Sequence, residues 1–183
     1  MRKWDTVQSD EQAFRWVCSR PRAHRNASQK GRAMKHTVLI VDEDVNARII
    51  AETLLQSRGL AASAAADGSE AYDILCCPEA DVAVLLVDLS PGTAGMNGWE
   101  LLRRVQARFG GLRLAAQPKV LALSRSADSE TEVFARRLGA DAFLSKPLAP
   151  GELIATVEHL ITQHASGDGM GGSALASGGW HRR

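Results

Sequence analysis

Two hydrophobic rhythms alternate along this chain. The first is short apolar runs: Val38-Leu39-Ile40-Val41, the weaker stretch Leu60 to Ala65, Val82 to Val87, Lys119 to Ser124 and Ala142-Phe143-Leu144. The unbroken run Val82-Ala83-Val84-Leu85-Leu86-Val87 fits a strand buried on both faces, as in the middle of a parallel sheet. The second rhythm repeats every three to four residues. It predicts a first helix with Ala47, Ile50, Ala51, Leu54 and Leu55 on its inner face and Gly59 as its stop. Asp67-Gly68-Ser69 opens a second helix that runs through Cys76 and is closed by Pro78. Trp99, Leu101, Leu102, Val105 and Phe109 mark a third, ended by Gly110-Gly111, and Ser129 to Leu138 a fourth before Gly139. A last helix from Pro150 to His164 carries Leu153, Ile154, Val157, Leu160 and Ile161. Strands alternating with helices through short loops specify βαβ units, an α/β fold with a doubly wound five-stranded parallel sheet.

Charge separates this core from its flanks. Residues 1–36 hold nine Lys/Arg against three Asp/Glu, whereas residues 37–164 hold eleven against seventeen. An acidic folded part argues against DNA binding by this chain, because a DNA-binding domain concentrates positive charge on the folded part. The leader has only a short apolar patch at Phe14, Trp16 and Val17 and lacks a secretory h-region; Asp5, Asp10 and Glu11 argue against a transit peptide. It reads either as a disordered basic arm for an acidic partner or as an over-extended start, with Met34 the true one. Residues 165–183 include six glycines and read as a flexible tail, leaving no room for a second folded domain. No apolar run reaches the roughly 18 residues of a membrane span. Cys18, Cys76 and Cys77 match no metal spacing, and with no signal peptide they suit a reducing cytoplasm.

In a sheet of this kind ligands bind at the carboxyl ends of the strands. There the chain places Asp42 and Glu43 after the first strand, Asp88 after the third, Ser124 at the end of the fourth and Lys146 after the fifth. Carboxylates brought together repel, and a hard divalent cation relieves the repulsion. Mg²⁺ takes one or two carboxylates, a carbonyl, waters and phosphate oxygens, a set these residues can supply. Lys146 and the Ser124 hydroxyl then suit a phosphoryl group.

Five segments in this order resemble the response-regulator receiver domain of two-component signalling. They are Val-Leu-Ile-Val-Asp-Glu-Asp at 38–44, Leu-Leu-Val-Asp-Leu at 85–89, Asn-Gly-Trp-Glu-Leu-Leu at 97–102, Val-Leu-Ala-Leu-Ser at 120–124 and Gly-Ala-Asp-Ala-Phe-Leu-Ser-Lys-Pro-Leu at 139–148. The resemblance implies a flavodoxin-like, CheY-like fold with strand order 2-1-3-4-5. It implies that Asp88 is the phosphoacceptor for a sensor histidine kinase or histidine phosphotransfer protein. Asp42 and Glu43 match the acidic pair that holds Mg²⁺, Glu43 through a metal-bound water, and Ser90 would lend its backbone carbonyl. Lys146 and Ser124 would bind the phosphoryl oxygens. Ser124 drawn inward and Phe143 rotating behind it would switch the surface of helix four, strand five and helix five, toward a downstream protein target. Lys146-Pro147 matches the family's cis peptide.

The residues also have plainer readings. Asp44 reads as the N-cap of the first helix, Asp128 and Asp141 as solvated or capping acids, and Gly92 to Gly98 as a connecting turn. Two departures from the family pattern stand out. The stretch from Asp88 to Gly98 is about two residues longer, and Arg125 occupies a position that usually holds a small residue, which predicts slow loss of the phosphoryl group. The expected protein is therefore a cytoplasmic, non-enzymatic, single-domain response regulator. One rival is a receiver-like interaction module that is never phosphorylated. The other is a Mg²⁺-dependent phosphatase with an aspartyl intermediate, expected to carry a second Asp at position 90, where this chain has Ser90.

Overall fold

The structure, a computed structural model, describes residues 37–77, 80–90, 95–110, 117–126 and 128–167. The leader with its Phe14, Trp16 and Val17 patch, Met34, Cys18, Pro78, Gly111, most of the loop beyond Asp88 and the tail after residue 167 lie outside the described residues. Among the described residues, strands and helices alternate without exception: β1 (Thr37–Val41), α1 (Val45–Ser57), β2 (Ala61–Ala65), α2 (Gly68–Cys76), β3 (Val82–Asp88), α3 (Gly98–Phe109), β4 (Lys119–Ser124), α4 (Ser129–Arg137), β5 (Ala142–Ser145) and α5 (Pro150–Gly167). All five strands run parallel in the order β2-β1-β3-β4-β5. The apolar run 82–87 thus lies in the central strand, flanked by β1 and β4.

Alternation along each strand divides the core into two layers. Val38, Ile40, Val84, Leu86, Leu121 and Leu123 face Ala51 and Leu55 of α1 and Leu153, Val157 and Leu160 of α5. Leu39, Val41, Leu85, Val87, Val120 and Ala122 face Ala71 and Leu75 of α2, Leu101, Leu102 and Val105 of α3, and Ala135 of α4. Buried on both faces, β1, β3 and β4 can carry their carboxyl-terminal polar groups to one fixed edge.

Side-chain oxygens start four of the helices. Asp44, Asp67, Asn97 and Asp128 each sit in extended backbone and accept a main-chain N–H of the first turn. Asp67 accepts from both Ser69 and Glu70, at 2.7 and 3.0 Å. The substitution Asp67→Ala is expected to cost about 1 kcal/mol in urea unfolding; an unchanged midpoint would show that α2 is held by packing alone.

Two expectations need correction, and a third gains detail. Ile50 was expected on the inner face of α1 but is 66% exposed. The buried stripe is centred on Ala51 and Leu55, and one residue's step carries Ile50 about 100° round the helix, off the core. The last helix does not stop at His164, since Ala165 and Ser166 contain no breaker and α5 continues to Gly167. Asp141 is exposed, as a solvated acid is, but it also has fixed partners. It pairs with Lys119 Nζ at 2.9 Å and accepts the Val120 N–H at 2.8 Å, pinning the start of β4 to the start of β5.

Candidate functional site

The parallel register delivers the expected residues to one edge. Val41 pairs with both Ala65 and Val87, Asp88 with Leu123 and Ser124 with Ser145, so β1, β3, β4 and β5 end side by side. Two further main-chain bonds continue the ladder past the strands: Leu89 N–H to the Leu123 carbonyl and Lys146 N–H to the Ser124 carbonyl, both 2.7 Å. The second fixes where the Lys146 side chain departs, beside a cis Lys146-Pro147 peptide.

At the centre Lys146 Nζ donates to Asp42 Oδ2 and to Asp88 Oδ2, each at 2.7 Å. The three side chains are 17%, 5% and 9% exposed, so these contacts are shielded from bulk water. The remaining oxygen of each acid is also occupied. Asp42 Oδ1 accepts the Asp44 N–H at 2.9 Å, and Asp88 Oδ1 accepts the Ser90 N–H at 3.0 Å and the Ser90 hydroxyl at 2.8 Å. Burial pushes the pKa of Asp88 up, but the hydrogen bonds from Lys146 and Ser90 outweigh it, and the carboxyl sits below its ordinary value. For Lys146, burial pulls the pKa down, and the bonds to Asp42 and Asp88 more than reverse this. Both groups are charged at neutral pH.

Around this centre lies a small open cleft lined by Asp42, Glu43, Asp88, Ser90, Asn97 and Arg125, among others. Its volume of about 50 Å³ suits an ion with its waters or a phosphoryl group, where a metabolite pocket needs several hundred. Ser124 is buried at the end of β4, and its Oγ accepts the Ser126 N–H at 3.1 Å, leaving the hydroxyl proton available to donate. Phe143 is half-buried on β5, against the layer beneath α2, α3 and α4. The structure therefore brings together Asp42, Glu43, Asp88, Ser90, Arg125 and Lys146, with Ser124 in the strand end beside them.

Gly98 sets the near wall. A Cβ there would lie 2.1 Å from the Asp88 main-chain oxygen, so only glycine lets the start of α3 pack against the end of β3. Gly68 does the same for α2, where a Cβ would come within 2.6 Å of the Met96 carbonyl.

The donor set fits Mg²⁺ and does not suit a metal held wholly by side chains. Among the described residues no three His, Cys, Asp or Glu side chains form a metal-holding group. Mg²⁺ does not need one, because it uses one or two carboxylates and completes its shell with carbonyl and water oxygens. Asp42, Glu43, Asp44, Asp67 and Asp88 outnumber Lys146 and Arg125 and leave a surplus of negative charge at this edge, and the Ser90 hydroxyl can rotate off Asp88 Oδ1 to expose that oxygen.

Sequence reasoning missed Arg48. Its Nη1 donates to the Asp42 carbonyl at 2.6 Å and the Glu43 carbonyl at 3.1 Å. The signal was its place at the end of the first turn of α1, six residues after Asp42, close enough to reach back over the turn. Asp67 and Met96 also line the cleft without having been singled out for it.

A family model described as the response regulator receiver domain matches residues 38–158. Among curated proteins, the chain is 32% identical over 144 residues to the Transcriptional regulatory protein GltR of Pseudomonas aeruginosa, across 79% of this chain and 56% of that protein. The chain thus spans about half the length of this relative. Among solved structures it resembles the receiver domain of Francisella response regulator 1452, with a TM-score of 0.60 and 23% identity over 70% of this chain and 98% of that one. It also resembles a CheY-like receiver domain protein from Methanospirillum hungatei JF-1, with a TM-score of 0.61 and 24% identity over 72% and 97% of the two chains. At such identities the structural likeness speaks for the fold.

Proposed function

Because this chain belongs to the response-regulator receiver family, we propose that Asp88 accepts a phosphoryl group from a histidine of a sensor kinase or phosphotransfer protein and that the chain signals through a downstream protein. The observation that carries the reading is the single ammonium of Lys146 shared by Asp42 and Asp88 at the edge where the strands end. Receiver domains generally bind Mg²⁺ for phosphorylation. Here Asp42, Glu43, Asp88 and the Ser90 carbonyl would hold it, and when bound it spreads the charge that develops on the transferring oxygens.

The hydrogen bonds favour one Asp88 oxygen as the nucleophile. Each carboxylate oxygen has two lone-pair directions. On Oδ1 both are taken by Ser90, whereas on Oδ2 Lys146 takes one and, among the described residues, the other remains. Oδ2 attacks the phosphorus of the phosphohistidine, the P–N bond breaks and its electron pair leaves with the imidazole. Lys146 stays beside the incoming oxygens, and Ser124 turns its hydroxyl toward one of them. The acyl phosphate carries close to two negative charges where the carboxylate carried one. Ser124 moving inward with Phe143 behind it would relay that change to the face of α4, β5 and α5.

Incubation with acetyl phosphate and Mg²⁺, read by intact mass, tests this; a protein that gains no phosphoryl group removes the reading. The phosphatase alternative is not favoured, since position 90 is Ser90, hydrogen-bonded to Asp88. The family is in general a signalling rather than an enzymatic one. Among the described residues no helix is long and apolar enough to cross a membrane.

Arg125 lines the cleft and is exposed. A guanidinium at the mouth can pair with phosphoryl oxygens and obstruct the water that hydrolyses the acyl phosphate. Arg125→Ala is expected to lose its phosphoryl group several-fold faster than the wild type when donor is removed. Equal decay rates would leave Arg125 without this role.

A further inference from the structure

The turn that carries the two acids is held from outside the cleft. Asp42 to Asp44 join β1 to α1, and the Arg48 guanidinium reaches back from α1 to hold the carbonyls of Asp42 and Glu43. Arg48 makes no ion pair among the described residues, so its charge is directed at main-chain oxygens. Charge-assisted bonds of this kind are the stronger class. A carbonyl oxygen lies in its peptide plane, so fixing two successive oxygens fixes two successive planes. Those planes flank the Glu43 Cα, and the first of them follows the Asp42 Cα, whose preceding peptide leaves β1, so together with the strand they set the directions in which the two side chains leave the chain. The same turn is braced from within by the Asp44 N–H on Asp42 Oδ1 and by Asp44 capping α1.

We propose that Arg48 is a positioning residue for the cation site, holding the acid turn so that Asp42 and Glu43 face the cleft before any ion arrives. The proposal rests on reading the cleft as a Mg²⁺-dependent phosphoacceptor site. A rigid outer contact lowers the reorganisation a ligand must impose, and loss of such contacts typically weakens metal binding by 10–100-fold.

The test uses the full chain and Mg²⁺ alone, titrated by calorimetry, without a phosphodonor. Arg48→Met keeps the aliphatic stem and removes both bonds. It is expected to bind Mg²⁺ at least about tenfold more weakly, and Arg48→Lys, which keeps one cationic donor, to recover part of the loss. Hydrogen exchange at the Asp44 amide of the metal-free proteins reads the turn itself and is expected to be faster in the Met variant. Wild-type affinity in Arg48→Met overturns the proposal and leaves the phosphoacceptor reading standing. A wild type that binds no Mg²⁺ overturns both, whatever the exchange rates. A binding loss that Arg48→Lys does not relieve at all, with Asp44 exchange unchanged, also overturns it by showing a merely structural effect.

Discussion

Asp88→Asn is expected to take up no phosphoryl group from acetyl phosphate under conditions in which the wild type is labelled, a fall to background in intact-mass measurements. The substitution is chosen for what it preserves. Asparagine has nearly the same shape, and its carbonyl oxygen can still accept the N–H and hydroxyl of Ser90 that Asp88 Oδ1 accepts at 3.0 and 2.8 Å. What it loses is the carboxylate charge and the Oδ2 beside Lys146, the oxygen that, among the described residues, keeps a lone pair open to attack phosphorus. Circular dichroism should show the fold intact. Labelling of the variant at the wild-type level would place the acceptor elsewhere and end the assignment to Asp88.

The second large effect concerns Lys146. Lys146→Met is expected to lose phosphoryl uptake and also to destabilise the protein by about 3 kcal/mol at neutral pH, the range found when one member of a buried charge pair is removed. Asp42 and Asp88, 5% and 9% exposed, would then face each other with no cation between them. The pH dependence gives the sharper test because the sign reverses. In the wild type the Asp88 pKa is depressed in the folded state. Its contribution is therefore complete above the unfolded value of about 4 and is lost as pH falls through the folded value. In the Met variant the Lys146 bond that helps to depress it is gone, and burial together with the neighbouring carboxylate raises the folded pKa of Asp88 above the unfolded value. The folded state then binds more protons than the unfolded one, and stability rises as the solution is acidified. The gap between wild type and variant in urea unfolding should narrow from pH 7 to pH 5. A gap that does not change with pH would mean that Lys146 contributes packing rather than charge.

Much of this architecture could be read from the residues because burial on both faces leaves so little choice. The run Val82 to Val87 had to be a central strand, and the parallel order then carried Asp42, Asp88 and Lys146 to the same edge. Asp44 as an N-cap was equally legible, since an acid in front of a helical pattern has a local job. What stayed hidden depends on contacts between distant groups. That one ammonium bridges two acids cannot be inferred from the 104 residues separating Lys146 from Asp42. The exposure of Ile50 followed from a small rotation of α1, which hydrophobicity alone does not fix. Arg48 went unnoticed because its partners are main-chain carbonyls, and every sequence supplies those at every position. Asp141 looked like any surface acid until Lys119, 22 residues away, was found against it.

The seam between α3 and β3 bears on how this sequence can drift. At position 97 the helix asks only for a short polar acceptor, so Asn97 has three near-equivalents in Asp, Ser and Thr. At the adjoining position any side chain collides with the Asp88 main-chain oxygen, so Gly98 has no such neighbours. Two consecutive codons thus have opposite latitude, one interchangeable and the other frozen, and the frozen one contributes no side chain to the chemistry it protects.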